Sequence, residues 1–113
     1  MKLSEIISSL ELDVLTREFD FSEINVNNGY VSDLMSCVMA GASKGDIWVT
    51  LQSHSNIIAI ATLLDLSAVI ISEDSQPDNE TINKANQENI ILLSCSYSSF
   101  DIVGKLWDLG IRA

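Results

Sequence analysis

The chain has 113 residues, 47% of them apolar and 19% charged, and its sixteen acidic against six basic residues give a formal charge of -10. That length makes one domain, residues 1–113, which can bury roughly two-thirds of its unfolded surface without a disulfide or metal staple. The composition argues against a disordered chain, and the negative field argues against nucleic-acid or membrane-surface binding.

Leu3, Ile6, Ile7 and Leu10 recur at helical spacing, with Ser4 placed to cap, and predict a short first helix. Asp13–Thr16 reads as a short strand. A polar connection, Arg17 to Glu23, leads to an extended segment from Ile24 to Tyr30, interrupted at Asn27-Asn28-Gly29, where positive φ is tolerated and a turn or bulge is expected. Ser32 is expected to cap a helix over Asp33 to Ala42, with Asp33 complementing its N-terminal dipole. Ile47–Leu51 is a strand. Asn56–Leu64 is a helix that is apolar nearly all round and is therefore expected to be buried. Ala68–Ile71 is a continuous apolar strand. Pro77 suits the first turn of a helix running to Asn89, with Asp78 and Glu80 in that turn. Ile90–Leu93 is another strand. Ser98 or Ser99 opens a last helix with Phe100, Val103, Leu106 and Trp107 on one stripe, stopped by Gly110.

Strands that are apolar throughout are buried on both faces, and their alternation with helices predicts a three-layer α/β/α domain with a mostly parallel central sheet. In such sheets the ligand edge lies at the C-terminal ends of the strands. The longest apolar stretch, Ile57 to Ile71, is broken by Asp65 and is shorter than the ~20 residues of a membrane span. The first residues carry no continuous apolar run of a secretory signal, so a cytoplasmic setting is expected. Cys37 and Cys95 lie in apolar contexts without ligand spacing and are both expected to be buried free thiols.

Sharper chemistries fail on spacing. Gly41-Ala42-Ser43-Lys44-Gly45 offers small residues and a lysine, but Gly45-Asp46 follows where a P-loop needs a hydroxyl, so it reads as a helix stop and turn. Asp74 to Glu80 mimics the start of a calcium loop. However, its sixth position is Asn79 and its twelfth is Ala85, so the closing carboxylate is missing. His54 is the only histidine and has no evident orienting carboxylate. Its plain reading is a helix cap or surface residue, and the alternative is a ligand contact. No catalytic residue, metal site or cofactor is expected. Thr50, Ser72 and Ser94 each end a strand and, with the helix N-termini, are expected to form a small pocket of anion donors.

Asn25-Val26-Asn27-Asn28-Gly29-Tyr30-Val31-Ser32-Asp33-Leu34-Met35, followed by Trp48-Val49-Thr50-Leu51-Gln52-Ser53-His54-Ser55-Asn56-Ile57, resembles the stand-alone DRTGG-domain proteins. In their name-giving pattern, Asp-Arg-x-x-Thr-Gly-Gly, this chain has Glu23, Ile24, Asn27, Asn28 and Gly29 at the named positions. The Tyr30–Leu34 continuation and Thr50-x-Gln52-x-His54 match better. The resemblance implies an α/β/α domain similar to the N-terminal domain of HPr kinase/phosphorylase. Such domains act as non-catalytic regulatory or ligand-sensing partners of phosphate-handling enzymes, with dimerisation. With Ile24 in place of the arginine, no cationic contact carries over at that position.

The expectation is thus a non-enzymatic regulatory domain, a homodimer, binding a small anionic metabolite or nucleotide. The expected contacts are Asn27, Asn28, Gly29, Ser32, Asp33, Thr50, Gln52, His54 and Asn56. The alternative is an interaction module that docks on a metabolic or redox enzyme through apolar helix faces, without a ligand of its own.

Overall fold

A computed structural model describes residues 1–113. The elements in chain order are α1 (Leu3–Leu10), β1 (Asp13–Val14), a 3-10 turn (Phe21–Glu23), β2 (Gly29–Val31), α2 (Met35–Gly41), β3 (Ile47–Thr50), α3 (Asn56–Leu64), β4 (Ala68–Ile71), α4 (Asn79–Gln87), β5 (Leu92–Ser94) and α5 (Ser99–Leu109). The five strands form one sheet in the order β1-β5-β4-β3-β2. β2 to β5 are parallel, and β1 closes one edge antiparallel to β5. No helix is long and apolar enough to cross a membrane.

From β2 to β5 each crossover joins neighbouring strands and steps the same way across the sheet. With one handedness, such crossovers put α2, α3 and α4 on a single face. Side chains alternate along each strand to serve two cores. Trp48, Val69, Ile71 and Leu92 pack with Val38, Ile57, Ile58 and Ala85 on the three-helix side. Ile47, Val49, Ile70 and Leu93 pack with Leu3, Ile6, Ile102 and Leu106 beneath α1 and α5. The α/β/α sandwich expected from the sequence is therefore present, with three helices on one face and two on the other.

Several local expectations are corrected. The first helix is entered through Lys2 rather than a Ser4 cap, and Leu3 N–H is held by the Ile24 carbonyl at 2.9 Å. The strand expected at Asp13–Thr16 is only two residues long, and the extended run from Ile24 narrows to Gly29–Val31. None of Asn27, Asn28 and Gly29 adopts positive φ. The helix after Ser32 begins at Met35, because Asp33 is drawn away to β3. Pro77 precedes α4, whose cap is Asp78, and the helix ends at Gln87. The last strand is shifted to Leu92–Ser94. Apolar composition did not bury all of α3: Ile57, Ile58 and Ala61 face the core, but Leu63 is 66% exposed. A helix outside a sheet has only one inward face. In α5 the core positions are Ile102 and Leu106, so Phe100, on a different stripe, is 92% exposed. Cys95 is buried as expected, whereas Cys37 lies on the outer side of α2 and is exposed.

Candidate functional site

After β2 the chain bends at Ser32–Leu34. Ser32 Oγ accepts the Leu34 N–H at 3.1 Å, and the buried Trp48 indole donates to the Ser32 carbonyl at 2.8 Å. This bend aims Asp33 at the C-terminal end of β3. Asp33 Oδ1 accepts from Thr50 Oγ1 at 2.8 Å and from the Leu51 N–H at 2.8 Å. Thr50 Oγ1 in turn accepts the Gln52 N–H at 3.1 Å, and Gln52 Nε2 lies 3.4 Å from the Asp33 carbonyl. Asp33 is exposed and its Oδ2 receives no donor from the chain, while Thr50 is fully buried.

The rim continues along the β3–α3 loop. His54 Nδ1 accepts the Asn56 N–H at 3.2 Å, which caps α3 and leaves the neutral ring its proton on Nε2. Ser53 offers its carbonyl to Thr81 Oγ1 at 3.3 Å, joining this loop to α4. Asp78 caps α4 through the Thr81 N–H and hydroxyl, both at 2.9 Å. These two bonds hold the Asp78 carboxyl below its ordinary 3.8.

The expected pocket of anion donors is not available in that form. Ser99 N–H, at the start of α5, is taken by Glu73 Oε2 at 2.7 Å, and Ser72 Oγ pairs with Ser99 Oγ at 2.7 Å. Asp33, Glu73 and Asp78 thus already occupy donors that a phosphate would use. The only ion pair, Lys44–Asp65, is exposed and lies at the opposite edge, so these carboxylates have no cationic partner. A rim of this kind favours hydroxyl and amino groups over bare anions. No group of three metal-ligating side chains is gathered anywhere.

Of the nine residues expected to share a site, Ser32, Asp33, Thr50, Gln52, His54 and Asn56 lie along this C-terminal edge. Asn27, Asn28 and Gly29 do not. They enter β2 at the other end of the sheet, where Gly29 is in register with Ile47. At ~3.3 Å per residue, three residues of β3 put roughly 10 Å between the two groups. Their amides have structural duties there: Asn27 Nδ2 donates to the Lys44 carbonyl at 3.0 Å and Asn28 O accepts the Ile47 N–H at 2.9 Å. Gly29 N–H donates to Arg112 O at 2.8 Å. The single contiguous site is therefore corrected to one group of six.

Sequence reasoning missed two features. Glu73 and Asp78 act as caps on the same rim, and Asp78 was legible from its place three residues before Thr81. The second is an apolar groove of about 120 Å³ between β2 and α5, lined by Val31, Val103, Trp107 and Ile111. Arg112 stacks on the Trp107 ring at 4.4 Å and donates to the Trp107 carbonyl.

No family model matches the chain, and no curated protein matches it. Among solved structures it is similar to the CBS and DRTGG domains of the regulatory region of Clostridium perfringens pyrophosphatase, crystallised with the activator diadenosine tetraphosphate. The TM-score is 0.66 at 20% identity, and the match covers 91% of this chain and 44% of that one. The chain thus spans less than half of that neighbour. The likeness supports the DRTGG-like fold.

Proposed function

We propose that this chain is a cytoplasmic, non-catalytic regulatory domain that senses a small molecule of the nucleotide class, held by its nucleoside end, and works as a homodimer. One observation carries the ligand reading. At the sheet's ligand edge, Asp33 is fixed through one oxygen by Thr50 and Leu51, and its other oxygen has no partner. A carboxylate held this way is ready to accept hydroxyl or amino hydrogens, with the Gln52 amide and the His54 Nε2–H on the same rim. The neighbouring carboxylates turn any phosphates outward, so the nucleoside end faces the protein. The nucleotide activator bound by the similar pyrophosphatase region supports the same ligand class.

The test is a titration of the ¹⁵N-labelled chain with adenosine, AMP, diadenosine tetraphosphate and inorganic phosphate. The nucleoside-bearing probes are expected to move the Asp33, Leu51 and Gln52 amides, with affinities in the micromolar range or weaker; phosphate alone moves none of them. Asp33→Asn keeps an acceptor for Thr50 and Leu51 but puts a donor at the free position, and is expected to abolish the response. No response to any nucleoside-bearing probe at millimolar concentration sinks the ligand reading.

A second reading is an interaction module that docks on a metabolic or redox enzyme. It is favoured by the exposed Leu34, Met39 and Leu63 on and around α2 and α3, at 61%, 47% and 66% exposure. Pull-down that survives changing Thr50, Gln52 and His54 together to Ala would favour it over ligand sensing.

A further inference from the structure

Asp33, Glu73 and Asp78 share the C-terminal edge of the sheet, and two of them are committed to helices. Glu73 accepts the Ser99 N–H at the start of α5, and Asp78 caps α4. Asp33 caps nothing. α2 begins just after it, behind Leu34, with no side chain holding its first N–H groups. A helix start left uncapped while an adjacent carboxylate is held elsewhere breaks a local rule, and such breaks gather at functional sites. The hold on Asp33 is firm. The Trp48 indole fixes the Ser32 carbonyl on one side of it, and Ser32 Oγ fixes the Leu34 N–H on the other. Thr50 is itself anchored in the sheet, its carbonyl accepting the Ser72 N–H at 2.9 Å. Both donors to Asp33 reach the same oxygen, Oδ1. A carboxylate offers about four lone-pair sites, two on each oxygen. Oδ1 is therefore full, and both sites of Oδ2 are left, on an exposed residue.

We propose that Asp33 Oδ2 takes the 2′- and 3′-hydroxyls of a ribonucleoside together, which makes this carboxylate the residue that selects ribose over deoxyribose. The proposal rests on the nucleotide reading and assigns the part of the nucleoside that Asp33 holds. The free lone pairs select the sugar. Vicinal cis hydroxyls are two donors side by side, and each can turn its hydrogen to one shared oxygen. The two-donor edge of guanine needs both carboxylate oxygens at once, and Oδ1 is taken. Adenine sets an acceptor nitrogen beside its amino group, which would meet the carboxylate lone pair to lone pair. A phosphate on either ribose hydroxyl would set an anion against Asp33, Glu73 and Asp78. The one ion pair, Lys44–Asp65, lies at the opposite edge and offers no relief. A 5′-phosphate is carried away from the diol, as the outward course of the phosphates requires. Dinucleotide-binding parallel sheets use an acidic residue on a ribose hydroxyl in the same manner.

Titration of the ¹⁵N-labelled full chain with adenosine, 2′-deoxyadenosine, 3′-deoxyadenosine, 5′-AMP and 3′-AMP tests this, read at the Asp33, Leu51 and Gln52 amides. Adenosine and 5′-AMP are expected to bind comparably. Each deoxy probe is expected to bind roughly 10-fold or more weakly, the effect of removing one hydrogen bond to a charged group. 3′-AMP is expected to give no response at a concentration where 5′-AMP saturates. Asp33→Asn is expected to bind adenosine no more tightly than the wild type binds 2′-deoxyadenosine. Equal affinity for adenosine and both deoxy probes overturns the assignment of the sugar and leaves the ligand reading standing. A loss confined to one deoxy probe overturns the sharing of Oδ2 by two hydroxyls. Binding of 3′-AMP as tight as that of 5′-AMP, or a ribose preference that survives in Asp33→Asn, takes the diol away from Asp33 and overturns the proposal. Absence of a response to every nucleoside removes the ligand reading, and this proposal with it.

Discussion

Asp33 and Thr50 lie seventeen residues apart in the chain and are joined by a 2.8 Å hydrogen bond at the C-terminal edge of the sheet. Thr50 both donates to Asp33 and accepts from the Gln52 N–H. This one hydroxyl therefore sets the path of the β3–α3 loop. Thr50→Val keeps the shape of a fully buried side chain while removing both bonds, and is expected to cost about 1–3 kcal/mol, the penalty of leaving partners unsatisfied. Urea unfolding with an unchanged m-value checks it, and a loss within error of zero would mean that the loop is held by other contacts.

The Asp78 cap makes α4 sensitive to acid. Its carboxyl is held below 3.8 chiefly by the Thr81 N–H, so its stabilising contribution is fully present above the unfolded value and is lost as pH falls through the folded one. Asp78→Ala is expected to lower Tm at pH 7. The gap between the two proteins should close as pH is taken below about 3.8. A gap of constant size across that window would remove the carboxylate from the explanation.

Gly41 ends α2 under the Tyr30 ring. A Cβ at Gly41 would meet Tyr30 atoms at 2.5 Å, and the Tyr30 hydroxyl donates to the Cys37 carbonyl at 3.0 Å. Alanine normally stabilises a helix relative to glycine by about 1 kcal/mol. Here Gly41→Ala is expected to destabilise the wild type, and to turn neutral or stabilising in a Tyr30→Val background. Thermal unfolding of the four proteins of this cycle reads the change of sign.

The two thiols should separate kinetically. Cys37 is exposed, while Cys95 is buried and its thiol is pushed above 9.0 chiefly by that burial. A disulfide reagent at pH 8 is expected to modify one thiol per native chain rapidly and the second only on unfolding. Equal rates in the native state would contradict the placement of Cys37 on the outer side of α2.

The alternation of apolar strands with helices was enough by itself to determine the layered architecture. Runs such as Ala68–Ile71 tolerate water on neither face, and segments such as Ile102–Leu106 carry one inward stripe. The opening of the last helix at Ser98 or Ser99, of which Ser98 is the cap, and its stop at Gly110 were legible for the same local reason: each satisfies backbone groups within a few residues of itself. Only the tertiary structure decided which polar residues meet. Asn27 and Asp33 are six positions apart, yet the three residues of β2 between them carry one to each end of the sheet, and strand direction is a property of pairing with β3. Asp33 left the helix it was expected to begin because the Thr50 hydroxyl and the Leu51 N–H, distant in sequence, offered its carboxylate better partners than a helix N-terminus.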